Sequence, residues 1–278
     1  MTYTMVCIDM DGTLLGKRKK ISKESKEVIK KVYEKGVEIV VTTGRIYNNA
    51  AYYSHLLGVK SPVIAANGAI VREKNNNEII YENIIETDVC IRLIEVLYKM
   101  GFFFHFYTLD SIYCSNKITK IGTELYMTKQ VGFENLKIKY HIIRNLEEWK
   151  AFFKRTNGQI TKCIAFSTKP SKIINLKKEL NNMKDVVYFG SGSRSVEINN
   201  RGVSKGRAVK ALADYYGFKR EEIVCIGDNE NDISMIEYAG LGIAMGNAID
   251  EVKNLADYIT DTNKEDGVAK ALKKIFNV

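Results

Sequence analysis

Proline is almost absent from the chain. Pro62 and Pro170 are the only two in 278 residues, so no proline-rich linker divides it. Cysteine is sparse and scattered, at Cys7, Cys90, Cys114, Cys163 and Cys225. An odd number with no C-x-x-C pair argues against a zinc site and against a disulfide framework. A reducing cytoplasm fits that usage best. No apolar run approaches the roughly 18 residues of a membrane span. The start, MTYTMVCIDMDG, lacks the basic residues, apolar stretch and small-residue cleavage site of a signal peptide. No internal repeat or low-complexity tract stands out.

Positive charge is in excess, with a formal net charge of +9. Such a balance could attract anionic substrates or nucleic acid. Surface lysines chiefly serve solubility, and most of the excess is read that way. The densest cluster, Lys17-Arg18-Lys19-Lys20, is short, and neither an aromatic RNA-binding motif nor zinc-finger spacing accompanies it. No nucleic-acid partner is therefore expected. The length lies near the size at which one core stops growing, so the chain forms one large α/β domain or two domains.

Short apolar runs alternate with amphipathic segments at both ends. Met5–Ile8 reads as a buried strand ending abruptly in carboxylates. Ser22 can cap a helix whose apolar positions include Val28, Ile29, Val32 and Tyr33, with Gly36 stopping it. Val37–Val41 and Val63–Ala66 are further buried-type strands. Near the other end Ser204 can cap a helix that Gly217 stops, and the strands Ile223–Ile226 and Leu241–Met245 follow. This alternation predicts a parallel sheet with helical crossovers. The middle differs, with more aromatics and longer polar breaks. Thr87 is expected to cap a helix carrying Val89, Leu93, Val96, Leu97 and Met100, and 102–107 and 162–166 read as strands. The expected organisation is a core of 1–83 and 193–278, interrupted by an α+β insert over 84–192.

Polar groups recur just past the strand ends, where open α/β sheets place ligands. Asp9-Met10-Asp11-Gly12-Thr13 puts two carboxylates one residue apart, and they repel unless a cation relieves them. A calcium loop is excluded there, because positions six and twelve are Leu14 and Lys20. Thr43-Gly44-Arg45 offers a hydroxyl and backbone N–H groups suited to a phosphoryl oxygen, though Thr-Gly is also an ordinary turn. Arg45 could bind substrate or pair with an acid inside the core, and the structural role is favoured. Lys205 opens a helix, where the positive end disfavours it and asks for a nearby anion; a surface lysine is the plainer alternative. Gly227-Asp228-Asn229-Glu230-Asn231-Asp232 packs acids and amides after a buried strand. Position six from Asp228 is Ile233, so no calcium loop fits, and hard oxygens suit magnesium.

In this order D-x-D-G-T, a Thr after the second strand, a Lys and G-D-x-x-N-D resemble the haloacid-dehalogenase superfamily of phosphohydrolases. The subgroup most similar is the Cof-type, type IIB. Its pattern is visible in IDMDGTLL, TTGR, AANGA (65–69), GVSKG, GDNENDISMI, AMGNA (244–248) and EDGVAKAL (265–272). The resemblance implies an α/β, Rossmann-like core with a parallel sheet, and an inserted α+β cap that closes over the site. It implies a magnesium-dependent phosphatase acting on a small phosphorylated metabolite. Asp9 would be the nucleophile and Asp11 the general acid and base. Thr43, Gly44, Lys205 and Asn231 would bind the phosphoryl group. Magnesium would be held by Asp9, the main-chain carbonyl of Asp11, and Asp228, supported by Asp232. Asn67 and Asn247 would lie nearby, or serve only as turn residues. His105, His141 and Trp149 in the middle read as packing or surface residues.

Two rivals remain at this level. A sugar phosphomutase would carry similar motifs. A basic nucleic-acid-binding module would leave Asp9, Asp11, Asp228 and Asp232 unexplained, since acids repel phosphates without a metal. An aspartyl-phosphate ion pump fails for want of membrane spans.

Overall fold

The computed structural model describes residues 3–131, 138–156, 159–190 and 192–278. Two units emerge. One joins the residues up to Glu82 to Ser204–Val278, and the other is Asn83–Val203.

The first unit begins with β1 (Met5–Asp9), buried at every position. A strand covered on both faces needs an unbroken apolar run, and MVCI supplies it. Next comes α1 (Lys23–Glu34), whose start is fixed by Ser22 Oγ accepting the Ser25 N–H at 2.9 Å. It buries Val28, Ile29 and Val32. Then follow β2 (Glu38–Thr42), α2 (Tyr47–Leu56), β3 (Val63–Ala65), β4 (Ile70–Arg72) and β5 (Ile79–Glu82).

The second unit contains α3 (Thr87–Lys99), β6 (Phe103–Tyr107), β7 (Ser111–Cys114), α4 (Lys117–Val131), β8 (Lys139–Ile142), α5 (Leu146–Thr156), β9 (Lys162–Phe166), α6 (Pro170–Asn182), β10 (Val186–Gly190) and β11 (Ser195–Asn200). Its sheet runs β10-β11-β9-β6-β7-β8, antiparallel except where β7 meets β8. Alternation along β6 sends Phe104 and Phe106 to one face, against Trp149 and Phe153 of α5. Val89, Leu93 and Leu97 of α3 join the same core.

Two sequence expectations need correction here. The residue that caps α3 is Glu86, and Thr87 lies inside the helix with its hydroxyl donating to the Phe153 carbonyl at 3.4 Å. The insert ends at Val203 and not at 192, because β11 is paired on both sides within the second sheet and Val196 and Ile198 fill its core. His105 and Trp149 are both packing residues, and His141 is exposed.

His105 gives the second unit an acid sensitivity. Its Nδ1 meets Thr123 Oγ1 at 3.2 Å, while its Nε2 is buried without a partner. Burial pushes its pKa down from 6.5 to about 4. The unfolded chain therefore takes up this proton first as pH falls. Stability is expected to be intact above pH 6.5 and to fall through the window from 6.5 to 4, by about 3 kcal/mol in full. Denaturant unfolding of wild type and His105→Phe at pH 7 and pH 4 measures it. The variant should lose less stability between the two pH values. Equal losses would remove His105 as the cause.

The chain returns to the first unit with α7 (Lys205–Tyr216), β12 (Ile223–Gly227), α8 (Ile233–Tyr238), β13 (Leu241–Ala244), α9 (Asp250–Leu255), β14 (Tyr258–Ile259) and α10 (Gly267–Phe276). Among the described residues its sheet has eight strands, ordered β14-β13-β12-β1-β2-β3-β4-β5. The strands from β14 to β3 are parallel, and β4 and β5 are antiparallel additions. β1 lies between β2 and β12, and the chain winds outward from it in both directions. That makes the carboxyl end of β1 a topological switch point, where an open α/β sheet leaves a crevice. Among the described residues no helix is long and apolar enough to cross a membrane.

Candidate active site

The crevice is lined by the ends of three neighbouring strands. β1 ends in Asp9, which pairs in register with Thr42 at the end of β2, one residue before Thr43. β12 ends in Gly227, next to Asp228. Lys205 reaches the same place as the first residue of α7, capped by Ser204 Oγ accepting the Arg207 N–H at 3.2 Å.

Lys205 is fully buried, and its Nζ donates to Asp9 Oδ1 at 2.6 Å and to Asp232 Oδ1 at 2.5 Å. These carboxylates are the anions that a lysine at a helix start requires. Burial alone would favour the neutral amine, but Asp232 and Asp9 outweigh it and hold the Lys205 pKa above the ordinary lysine value. Asp232 is heavily engaged, since its Oδ2 accepts the backbone N–H groups of Asp228 and Asn229 at 2.9 and 3.0 Å. It braces the loop after β12. Asp228 Oδ1 accepts the Thr13 hydroxyl at 2.7 Å.

The cluster is short of positive charge. Asp9, Asp228 and Asp232 can place one oxygen each within 4.8 Å of one another, against the single ammonium of Lys205. Two negative charges stay uncompensated. Accordingly burial, then Asp232, then Asp228 push the Asp9 pKa well up against the pull of Lys205. Asp228 is pushed up to about 6, by burial first and Asp232 next. The loop backbone lets the acids crowd together. Gly12 has φ +93°, and a Cβ there would lie 2.2 Å from Asp228 Oδ2.

Asp11 is placed differently. Its two oxygens take a fork from Arg45, Nε to Oδ2 and Nη2 to Oδ1, both at 2.6 Å. Burial would raise its pKa, but Arg45, with Lys19 and Lys205, holds it below the ordinary carboxylate range. Thr43 Oγ1 accepts the Arg45 N–H at 3.2 Å, fixing the turn after β2 and leaving the hydroxyl hydrogen to donate elsewhere. Asn231 Nδ2 donates to Asn67 Oδ1 at 3.1 Å. Asn67 is held by an unusual run of left-handed residues, Ala66, Asn67 and Gly68, at φ 51°, 62° and 94°. Such backbone in a residue with a Cβ is sparsely populated and concentrates at functional sites. Asn247 Nδ2 donates to the Gly12 carbonyl at 2.9 Å and so pins the loop that carries Asp11.

A family model described as haloacid dehalogenase-like hydrolase matches residues 6–272. The chain belongs to this family. It is a Cof-type haloacid dehalogenase-like hydrolase, and by class a phosphoric monoester hydrolase. Two Bacillus subtilis relatives, both named 5-amino-6-(5-phospho-D-ribitylamino)uracil phosphatase, are 32% and 30% identical to it. The first alignment covers 97% of this chain and 94% of the relative, and the second 98% of each. Among solved structures, a haloacid dehalogenase-like hydrolase from Bacteroides thetaiotaomicron superposes with a TM-score of 0.84 at 28% identity. It covers 99% of this chain and all of that one. A Thermotoga maritima protein superposes with 0.82 at 30% identity, covering 99% and 97%.

Within this hydrolase the crevice brings Asp9, Lys205, Asp228 and Asp232 into direct contact or ion-sharing distance. It places Thr43 and Gly44 at the neighbouring strand end and joins Asn67 to Asn231. The Asp11 side chain stands outside the acid cluster, so only its main chain is left to serve an ion there. Sequence reasoning assigned nothing to Thr13 or Asn49. Thr13 lay inside the D-G-T motif, but its partner is 215 positions away.

Proposed function

We propose that the chain is a magnesium-dependent phosphatase that hydrolyses small phosphate monoesters through an aspartyl phosphate on Asp9. One observation carries the reading. The buried Lys205 ammonium bridges Asp9 and Asp232, with Asp228 near enough to share an ion with them. The donor set fits a hard divalent cation: all oxygens, and an excess of two negative charges. Because Asp232 already accepts three hydrogen bonds, Asp9, Asp228 and the main-chain carbonyl of Asp11 are the freer groups to hold magnesium. When bound, the ion would offset charge on the nucleophile and on the phosphoryl oxygens.

The chain's own residues do the rest. Lys205 holds Asp9 Oδ1, which leaves Oδ2 to face phosphorus, and its charge favours the ionised carboxylate. Thr43, the Gly44 backbone and Asn231 take phosphoryl oxygens, with Asn67 steadying Asn231. Asp11 gives a proton to the leaving alcohol and later takes one from water. Positioning and charge stabilisation dominate phosphoryl transfer, so these parts suffice in kind. The names of the Bacillus subtilis relatives support a small phosphorylated metabolite as substrate, among sugar phosphates, nucleotides and cofactor phosphates. Five buried free thiols accord with a cytoplasmic site of action.

Phosphate release from a panel of such esters, including the phosphorylated ribitylaminouracil, tests this. Turnover is expected with magnesium and not with excess chelator, and Asp9→Asn should lower it on the order of 10⁴-fold or more. Release that survives both chelator and substitution would end the Asp9 mechanism.

A further inference from the structure

Arg45 is held on several sides. Two of its nitrogens take the Asp11 carboxylate, and Nη1 donates to Asn49 Oδ1 at 2.8 Å. Its guanidinium carbon lies 5.2 Å from the centroid of the Tyr53 ring. Asn49 and Tyr53 lie four positions apart on one face of α2, and Arg45 sits in the turn that leads into that helix. Asn49 is fully buried, and its Nδ2 has no hydrogen-bond partner. A buried amide with an unmet donor costs about 1–3 kcal/mol. Its oxygen, bound to Arg45, is the group that justifies an amide there.

The Asp11 side chain is 47% exposed and that of Arg45 only 9%, so water screens one end of the pair. What a bidentate fork supplies is orientation. A carboxylate offers about four acceptor sites, and the fork occupies two, so the others face away from Arg45.

We propose that Arg45, itself held by Asn49, is a positioning residue that fixes the Asp11 carboxyl for proton transfer to the leaving group. The inference rests on the reading of Asp11 as general acid. As the bond from Asp9 Oδ2 to phosphorus forms, the bond from phosphorus to the ester oxygen breaks. The Arg45 fork favours an ionised Asp11 in the free enzyme, so Asp11 takes up a proton from the ester's monoanion on binding, and the departing oxygen keeps the electron pair and takes that proton. In the second half Asp11 takes a proton from water, the water oxygen bonds to phosphorus, and Asp9 is released. A lysine at position 45 keeps the charge but makes a single-point contact, so the carboxyl is free to rotate.

The test compares kcat/KM for two esters with magnesium present, because that ratio reports the steps up to leaving-group departure. p-Nitrophenyl phosphate leaves readily without a proton, whereas glycerol phosphate needs one. Arg45→Lys and Asn49→Ala are each expected to lower kcat/KM for glycerol phosphate about 10- to 100-fold, within the range of general acid catalysis. The loss on p-nitrophenyl phosphate should stay under about 3-fold. Asp11→Asn should show the same selectivity more strongly, and adding Arg45→Lys to it should change nothing further. Damage to the fold would lower both esters alike. If Asp11→Asn is selective while the Arg45 and Asn49 variants are not, the positioning role is overturned and Asp11 keeps its own. If Asp11→Asn lowers both esters equally, Asp11 is no general acid and the inference falls with that reading.

Discussion

Lys205→Met is expected to abolish measurable turnover and to destabilise the fold by about 3–5 kcal/mol, the range seen when one partner is removed from a buried ion pair. Two carboxylates converge on this ammonium in a place where water does not reach. Methionine fills a similar volume but leaves Asp9 and Asp232 facing each other uncompensated. Activity and stability fail for different reasons, and they can be separated. Adding Asp232→Asn to Lys205→Met removes one of the two orphaned charges, so part of the stability should return. Activity should not return, because Asp9 still lacks its partner. Denaturant unfolding and phosphate release on both variants provide the measurement. A Lys205→Met protein of wild-type stability would mean that the pair does not hold the crevice together.

The parts of this site that were legible in the sequence share one property. Asp9, Thr43 and Asp228 each follow an apolar run that is buried on both faces, so the end of the run gives the position without knowledge of register. Lys205 was legible from its conflict with the helix start that Ser204 sets. What stayed hidden depends on pairs distant in sequence. The Arg45 fork to Asp11 spans 34 positions, and its geometry arises only once β1 and β2 lie side by side. The sequence left Arg45 between substrate and an acid of the core, and its partner proved to be the acid at the mouth of the sheet. The AANGA segment gave no sign that Ala66 would adopt positive φ.

The boundary at 192 was misplaced for a related reason. The aromatic content and polar breaks that marked the insert give no exact end, and β10 and β11, on either side of 192, pair antiparallel in one sheet. Where the insert ends depends on which core takes up the next apolar alternation. Val196 and Ile198 go to the second core.

Gly206→Ala is expected to destabilise and to slow the enzyme, although alanine is the better helix former by about 1 kcal/mol. Gly206 lies next to Lys205 in the first turn of α7, and its N–H donates to Ser234 Oγ at 3.1 Å. A Cβ at this position would stand 2.1 Å from the Ser234 carbonyl oxygen, so α7 must move away from α8. Backbone cannot rotate aside as a long side chain can, and overpacking of this kind costs about 1–3 kcal/mol. The movement carries Lys205 away from Asp232, which immediately precedes α8. A displacement near 1 Å at a catalytic group can cost on the order of 100-fold in rate. Gly122, inside α4, is the matching control, since nothing lies within 4 Å of a Cβ built there. Gly122→Ala should therefore stabilise the protein by about 0.5–1 kcal/mol and leave kcat unchanged. Opposite signs for one substitution in two helices would show that Gly206 serves the close approach of α7 to α8. A Gly206→Ala enzyme with wild-type turnover would show that Lys205 keeps its place without that contact.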